Sequence, residues 1–554
     1  MSSATPSSPP RLPRLPRLPL AGVLRVNRPS DIWYKPALSV VASVGPVNLP
    51  LVALGRLDLA MYTMAGSLCA LYAHHRPYAA RARALAWVVL AMLGGTAVAL
   101  VTASLTTDAV VLVAVGALLA AVQKTLCDAT RVGPPGHLIL TFISSASLFA
   151  PQTLGQVPGH LALTAGAGVW AWIVAMAPGL VRPHGPERRA TAHALNAAAA
   201  HAQTRGSGED AARTRAAAVA AVHGAWQSLL STGARSAPRR ALERLVVRAE
   251  VAVAAPAGTD PELLRALARG LRGSGPVPRP DDLAGTADDI LGVEAELAFG
   301  QRPLLRRLGP LGPIALRTAL GCALAGYASL ALGVGRPYWA LVTAASLYQA
   351  NVTLTWSRGV QRVVGNLVGV LVFAALVPLA HLGEAVLVLC VLACAFGAEA
   401  LISRNYWLGS LCVTPMALLI TEFARTQEPG RLITDRVVDT LVGALVGFAA
   451  AVAVTNRRAG DSVEHALRAV ERAREHAARV LALDHPGPGA LESARRDLAA
   501  TLVDLRVTVD TASGEWWQRA LPEDRVMPVE HVAHRTLAAT VRRQGLHSLE
   551  GAQA

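Results

Sequence analysis

The stretch RPYWALVTAASLYQANVTLTWSRGVQRVVGNLVG, residues 336–369, decides the fold. Its aromatic pair, Tyr338-Trp339, opens a short apolar segment, a placement that suits side chains apolar at one end and wet at the other. Gln349, Asn351, Thr353 and Thr355 make a polar stretch, and Arg358 and Arg362 follow, one helical turn apart. Gly365-Asn-Leu-Val-Gly369 then opens a second apolar run, with a small-xxx-small spacing that lets two helices approach closely. The pattern predicts a helix arriving at a membrane surface, an arginine-marked turn there, and a tightly packed helix returning.

The composition agrees. Of 554 residues, 53% are hydrophobic and 16% charged, against roughly 25% charged in a soluble domain. The mean hydropathy is +0.39 and the pI about 10.4. The net charge of +15 is read as arginine held on the cytoplasmic side of a membrane, not as a nucleic-acid footprint. Lysine occurs only at Lys35 and Lys124, and the arginine- and alanine-rich remainder points to a GC-rich bacterial genome. Cys69, Cys127, Cys322, Cys390, Cys394 and Cys412 form no Cys-x-x-Cys pair, and no histidine sits beside Cys390 and Cys394. They read as small packing residues, with no metal site, cofactor or disulfide framework expected.

Twelve apolar segments lie along the chain in two sets of six. The first set covers residues 37–54, 59–73, 85–104, 109–125, 137–150 and 161–181. The second covers 313–333, 338–352, 363–379, 385–402, 406–420 and 437–455. A spanning helix needs about 20 residues, so the second and fifth of each set are short. Arg76, Arg81 and Arg83 mark one loop, and Lys124 and Arg131 another, while the alternate loops are poor in basic residues. By the positive-inside rule both termini are cytoplasmic. Arg425, Arg431 and Arg436, on an expected outer loop, depart from that rule.

Between the sets, apolar residues at helical spacing (Val219, Val222, Trp226, Leu229; Leu242, Leu245, Ala249, Val253; Leu263, Leu264, Leu267, Leu271) predict a soluble helical domain. In the tail, Leu498, Leu502, Leu505, Val509, Ala512 and Trp516 make a heptad seam. It pairs with the middle domain or with a second copy, and packing within the chain is preferred. The expected architecture is an all-α polytopic membrane protein. It comprises a disordered N-terminal tail (1–35), a first transmembrane repeat (36–181), a cytoplasmic helical domain (182–310), a second repeat (311–456) and a cytoplasmic helical region (457–554). Two six-segment halves that start on the same side imply duplication about an axis along the membrane normal.

The order Tyr-Trp, arginine, Gly-x-x-x-Gly in 336–369, with Arg436, Asp439 and Gly443-Ala-Leu-Val-Gly447 closing the second half, resembles the FUSC family (fusaric-acid-resistance-like, aromatic acid exporters). The resemblance implies a secondary exporter of small organic anions, aromatic carboxylates among them, in the plasma membrane. Its candidate substrate-binding residues are Arg358, Arg362, Tyr338, Trp339 and Arg436. Arginine suits the task because its planar fork meets both carboxylate oxygens. For Arg358 and Arg362 a simpler role, anchoring a cytoplasmic loop, stands beside the inner mouth of an anion path. For Arg436 and Asp439 an i,i+3 ion pair is the simpler role. Glu399 and Asp439 are the proton-coupling candidates. An acid in an apolar helix costs about 2.5–3.5 kcal/mol to keep charged at the helix centre, so Glu399 is expected to be neutralised, wet, or paired with Arg404 or Lys124. The chain has no Walker A loop, no His-Glu-x-x-His and no Gly-x-Ser-x-Gly, so an enzyme is not expected and energy comes from a gradient. A passive anion channel and a membrane-anchored regulatory or envelope scaffold are the alternatives. The partners expected are the lipid bilayer and the anion, with a homo-oligomer left open and no nucleic acid.

Overall fold

The computed structural model describes residues 18, 20–29, 32–204, 209–231, 236–254, 256, 259–273, 275–278, 311–423, 427–454, 459–486, 488–513 and 523–550. Its regular elements are helical. The first half holds α1 (Tyr34–Ala53), α2 (Ala60–Ser67), α3 (Tyr78–Leu105), α4 (Ala109–Thr130), α5 (Leu138–Leu148), α6 (Val157–Met176) and the short α7 (Pro178–Val181). The middle holds α8 (Gly185–Gln203), α9 (Glu209–Leu230), α10 (Ala237–Ala254) and α11 (Pro261–Gly270). The second half holds α12 (Gly312–Ala331), α13 (Tyr338–Leu347), α14 (Val352–Ala380), α15 (Glu384–Ile402), α16 (Tyr406–Thr421) and α17 (Pro429–Ala453). The tail forms α18 (Ala459–Leu481), α19 (Pro488–Ser513) and α20 (Glu523–Glu550).

Among the described residues, eight helices are long and apolar enough to cross a bilayer: α1, α3, α4, α6 with its flanking turns, α12, α14, α15 and α17. Their outward faces are apolar: Trp87 is 72% exposed, Leu371 69% and Leu445 72%, which is favourable only against lipid. The chain is therefore an all-α polytopic membrane protein. The remaining apolar helices, Leu57–Leu71, α5, α13 and α16, are too short. The ten residues of α13 rise about 15 Å, half of the roughly 30 Å hydrocarbon core. All ten are buried in protein, where a helix that stops inside the membrane keeps its end groups away from lipid.

The packing pairs of the two halves correspond. In the first half α2 packs on α6, α3 on α5 and α6, and α4 on α5. In the second, α13 packs on α17, α14 on α16 and α17, and α15 on α16. The halves join reciprocally, α1 against α15 and α12 against α4.

Glycine seams hold the short helices. A Cβ at Gly365 would lie 2.6 Å from the Trp407 carbonyl oxygen, and one at Gly369 would lie 2.8 Å from that of Leu411. On α17, a Cβ at Gly443 would meet the Ala340 carbonyl oxygen at 2.5 Å. Backbone cannot yield as a side-chain tip can, so overpacking here costs about 1–3 kcal/mol or more. Gly365→Ala with Gly369→Ala is therefore expected to lower the apparent Tm of the detergent-solubilised protein by several degrees. Gly94→Ala, where nothing lies within 4 Å, should leave it unchanged. Equal melting of all three would dismiss the seam.

The middle helices share a core of Leu195, Val222, Trp226, Leu242, Leu245, Ala249, Leu264 and Leu267. Leu263 is the exception, 36% exposed, because α11 turns Leu264 and Leu267 inward and leaves its neighbour outside. In the tail Leu498, Leu502, Leu505 and Ala512 are buried, with α19 packed on α18, α20 and α9 of the same chain; Trp516 lies outside the described residues. Arg495 of the tail bonds both Glu250 of α10 and Glu492, the latter at 2.7 Å. Burial pushes the Glu250 carboxyl up against the opposing pull of Arg495. The tail also reaches the membrane part: Asn351 Nδ2 donates to the Thr511 carbonyl at 3.1 Å.

Three expectations need correction. Arg358 and Arg362 do not mark a turn. The turn is 348–351, Asn351 caps α14 by accepting from Leu354 N at 2.8 Å, and both arginines lie inside that helix. Arg81 and Arg83 are likewise helical, in α3. Arg431 and Arg436 belong to α17, which begins at Pro429, and not to a loop. A buried arginine is tolerated because its N–H groups find carbonyls: Arg81 donates to Ala175 O at 2.9 Å. Lastly, residues 20–29 do not behave as a loose tail. Val23 O accepts from Gln361 Nε2 and Asn405 Nδ2, both at 2.9 Å, and Leu24 O accepts from Trp407 Nε1 at 3.1 Å. Residues 1–17, with most of the Pro-Arg-Leu repeat, lie outside the described residues.

Candidate functional site

Where helices stop halfway through a membrane, the depth they leave is filled by other chain or stays open. Here α2, α5, α13 and α16 converge on a cavity of ≈ 700 Å³. Its first-half wall is apolar, with Met61, Met64, Leu68, Ile139 and Phe142. Its second-half wall carries Arg336, Arg362, Arg436, Tyr338, Tyr406 and Glu399. Among the described residues, three guanidinium groups and one carboxyl thus line it.

Two aromatic rings hold the arginines. Trp339 is fully buried, and the guanidinium carbons of Arg336 and Arg436 each lie 5.1 Å from its ring centre. Arg336 also donates to Gln427. On the other side, Arg358 stacks at 3.8 Å on the ring of Tyr406, whose hydroxyl accepts from Arg362 Nη1 at 3.2 Å. Cation–π contacts of this kind contribute about 0.5–2 kcal/mol, and above all they fix direction. Arg362 lies ten residues along α14, about 15 Å from its start.

A polar seam braces this wall. Asn366 Nδ2 donates to Thr440 Oγ1 at 2.9 Å and its carbonyl accepts from Thr414, tying α14 to α17 and α16. In the first half Gln123 performs a similar service, donating to Ser144 at 2.8 Å and accepting from Thr141 at 2.9 Å.

Of the expected site residues, Tyr338, Arg362, Arg436 and Glu399 line the cavity, whereas Trp339 and Arg358 stack behind it on residues that do. Asp439 does not face it. Its carboxylate accepts from Ser329 Oγ at 2.5 Å, a bond to α12, and no ion pair with Arg436 forms. The i,i+3 spacing places both on neighbouring faces, but α12 supplies a donor for the acid and the cavity takes the arginine. Nor does Glu399 pair with Lys124, which binds Asp128 at 2.7 Å. It has no ion pair with Arg404 either. Arg336, Tyr406 and Gln427 were not anticipated as site residues. A signal for Tyr406 was present: Tyr406-Trp407 repeats the Tyr338-Trp339 pair, and each pair opens a short helix.

Eight spanning-length helices around such a cavity define a polytopic α-helical membrane protein with an internal cationic site. Residues 323–450, which hold most of the charged wall, match the family described as fusaric acid resistance protein-like. Over that stretch the chain is similar to this family, and its spanning-length helices make it a membrane protein. It is also similar to the uncharacterized membrane protein YvaC of Bacillus subtilis (strain 168), 32% identical over 122 residues. That alignment takes in 22% of this chain and 19% of the length of YvaC. No solved structure matches.

Proposed function

We propose that the protein is a secondary transporter that exports small organic anions with an apolar body, aromatic carboxylates among them, across the plasma membrane. The observation that carries the reading is the division of the cavity into an apolar wall and a wall with three arginines and one carboxyl. An amphipathic anion matches both walls at once: its ring or chain is desolvated against Met64 and Phe142, and its carboxylate meets guanidinium. The two halves act as parallel repeats (36–181 and 311–456) that rock about the site, with 182–310 and 457–554 as cytoplasmic helical regions. Reconstitution into proteoliposomes tests this. A proton gradient that drives benzoate uphill supports the transporter. Flux that only equalises concentrations makes the protein an anion channel, and no flux at all leaves a membrane-anchored scaffold.

Orientation has its own test. Both termini are assigned to the cytoplasm from the basic loops. Single cysteines at Ser236 and Ser513, in a background freed of native thiols, are expected to be shielded from impermeant maleimide in intact cells. One at Asp108, the exposed N-cap of α4, is expected to react. Labelling at Ser236 from outside would invert the topology.

A further inference from the structure

A second cavity lies away from the first, where the membrane helices meet the helical domain. It measures ≈ 540 Å³ and gathers Lys35 from the start of α1, Arg182 after α7, Arg188 and Arg189 from α8, and Arg272 after α11. Among the described residues no carboxylate lines it. The nearest acid in sequence, Glu187, is buried and turned to His184 at 3.8 Å.

Among the described residues these cations are not fully accounted for. Arg188 is fixed by the carbonyls of Leu271 (3.2 Å) and Gly275 (2.7 Å), and Arg189 by that of His74 (3.4 Å). Yet Nη2 of Arg188 and Nη1 of Arg189 are buried without a hydrogen-bond partner, and Lys35, Arg182 and Arg272 make no ion pair among the described residues. The crowding is felt next door: burial first, then Arg81, Arg189 and Lys35, push the His74 imidazole down to about 3. Five like charges around one cleft repel one another unless an anion joins them.

The surroundings identify a membrane surface. Leu180 and Val181, immediately before Arg182, are 90% and 79% exposed. Trp33 and Tyr34, immediately before Lys35, are exposed as well, the aromatic placement of a headgroup belt. Apolar residues turned outward beside a basic cleft match a molecule with acyl chains and a phosphate. We propose that this cleft, built from Lys35, Arg182, Arg188, Arg189 and Arg272, binds a phosphate group, supplied by an anionic phospholipid at the membrane face.

The test uses the full chain purified in detergent and the variant Lys35→Gln/Arg182→Gln/Arg272→Gln. It spares Arg188 and Arg189, whose guanidinium groups hold the backbone. Native mass spectrometry and thermal shift are run with dioctanoyl-phosphatidylglycerol, with dioctanoyl-phosphatidylcholine, and separately with inorganic pyrophosphate. The expected result is preferential retention of phosphatidylglycerol by the wild type, weakened roughly a hundredfold in the variant, about fivefold per charge removed. Lys35→Arg/Arg182→Lys/Arg272→Lys should retain it, which separates charge from shape. Variant-sensitive binding of pyrophosphate without phosphatidylglycerol would keep the phosphate site and place its ligand in solution. If neither probe discriminates wild type from a glutamine variant that elutes and melts normally, the proposal falls. If that variant does not fold, loss of probe binding in single Arg182→Gln decides in the same way.

Discussion

Exchange of Arg362 and Arg436 together for glutamine is expected to raise the apparent KM for organic-anion efflux by about a hundredfold. A hydrogen bond to a charged group contributes roughly 1.5–3 kcal/mol, so each arginine alone should cost about 10–150-fold. The two line one cavity and on the proposed reading share a ligand, so their losses should fall short of multiplying. Among the described residues, Nε of Arg362 and Nε and Nη1 of Arg436 have no hydrogen-bond partner. On the proposed reading those N–H groups are left for the substrate carboxylate, which two forks can grip from two sides. Arg358→Gln supplies the contrast. Arg358 stacks on Tyr406 and does not line the cavity, so its loss removes only a cation–π contact and should change the KM by about fivefold at most. Equal effects from Arg358 and Arg362, in protein that inserts normally, would show that the arginines serve helix orientation and not the anion.

The difference between those neighbours marks where reading the sequence stops. Hydropathy located the short segments that leave room for the cavity, because length against bilayer thickness is a matter of counting. It misplaced the starts of α3, α14 and α17 by seven to eleven residues for one physical reason. Windows of apolar residues end at the first arginine, whereas a helix continues wherever the guanidinium finds a carbonyl or a ring, as Arg81 and Arg358 do. One turn of spacing placed Arg358 and Arg362 on the same helix face but not that both would meet Tyr406, 44 residues beyond Arg362, or that only Arg362 would line the cavity. The Arg436–Asp439 pairing failed similarly, since Ser329 from a distant helix satisfies the acid. Local spacing proposes partners, and tertiary packing selects among them.

Glu399→Gln is expected to abolish proton-driven uphill efflux while leaving substrate exchange nearly intact. Glu399 is the carboxyl on the cavity wall, on α15, opposite the apolar lining from α2 and α5. Neither basic residue within sequence reach compensates it, since Lys124 is engaged by Asp128 and Arg404 stays apart. A structural carboxylate would have a fixed counter-ion, because removing one partner of a buried pair costs several kcal/mol. Among the described residues Glu399 has none, so on the proposed reading its charge is free to change as the site opens to one side or the other. Protonated, it leaves three cations to bind the anion; ionised, it competes with that anion for the arginines. On the proposed reading, a proton loaded from outside would favour a conformation different from the one that carries substrate out, and alternation would couple the two. Glutamine keeps the shape and the neutral state, so the variant should bind anion at least as well as wild type and exchange it across proteoliposomes. Accumulation against a gradient should vanish, with the pH dependence of transport flattened. Wild-type accumulation and pH dependence in the glutamine variant would remove Glu399 from the coupling path, and Asp439, held by Ser329, would then be the acid to substitute next.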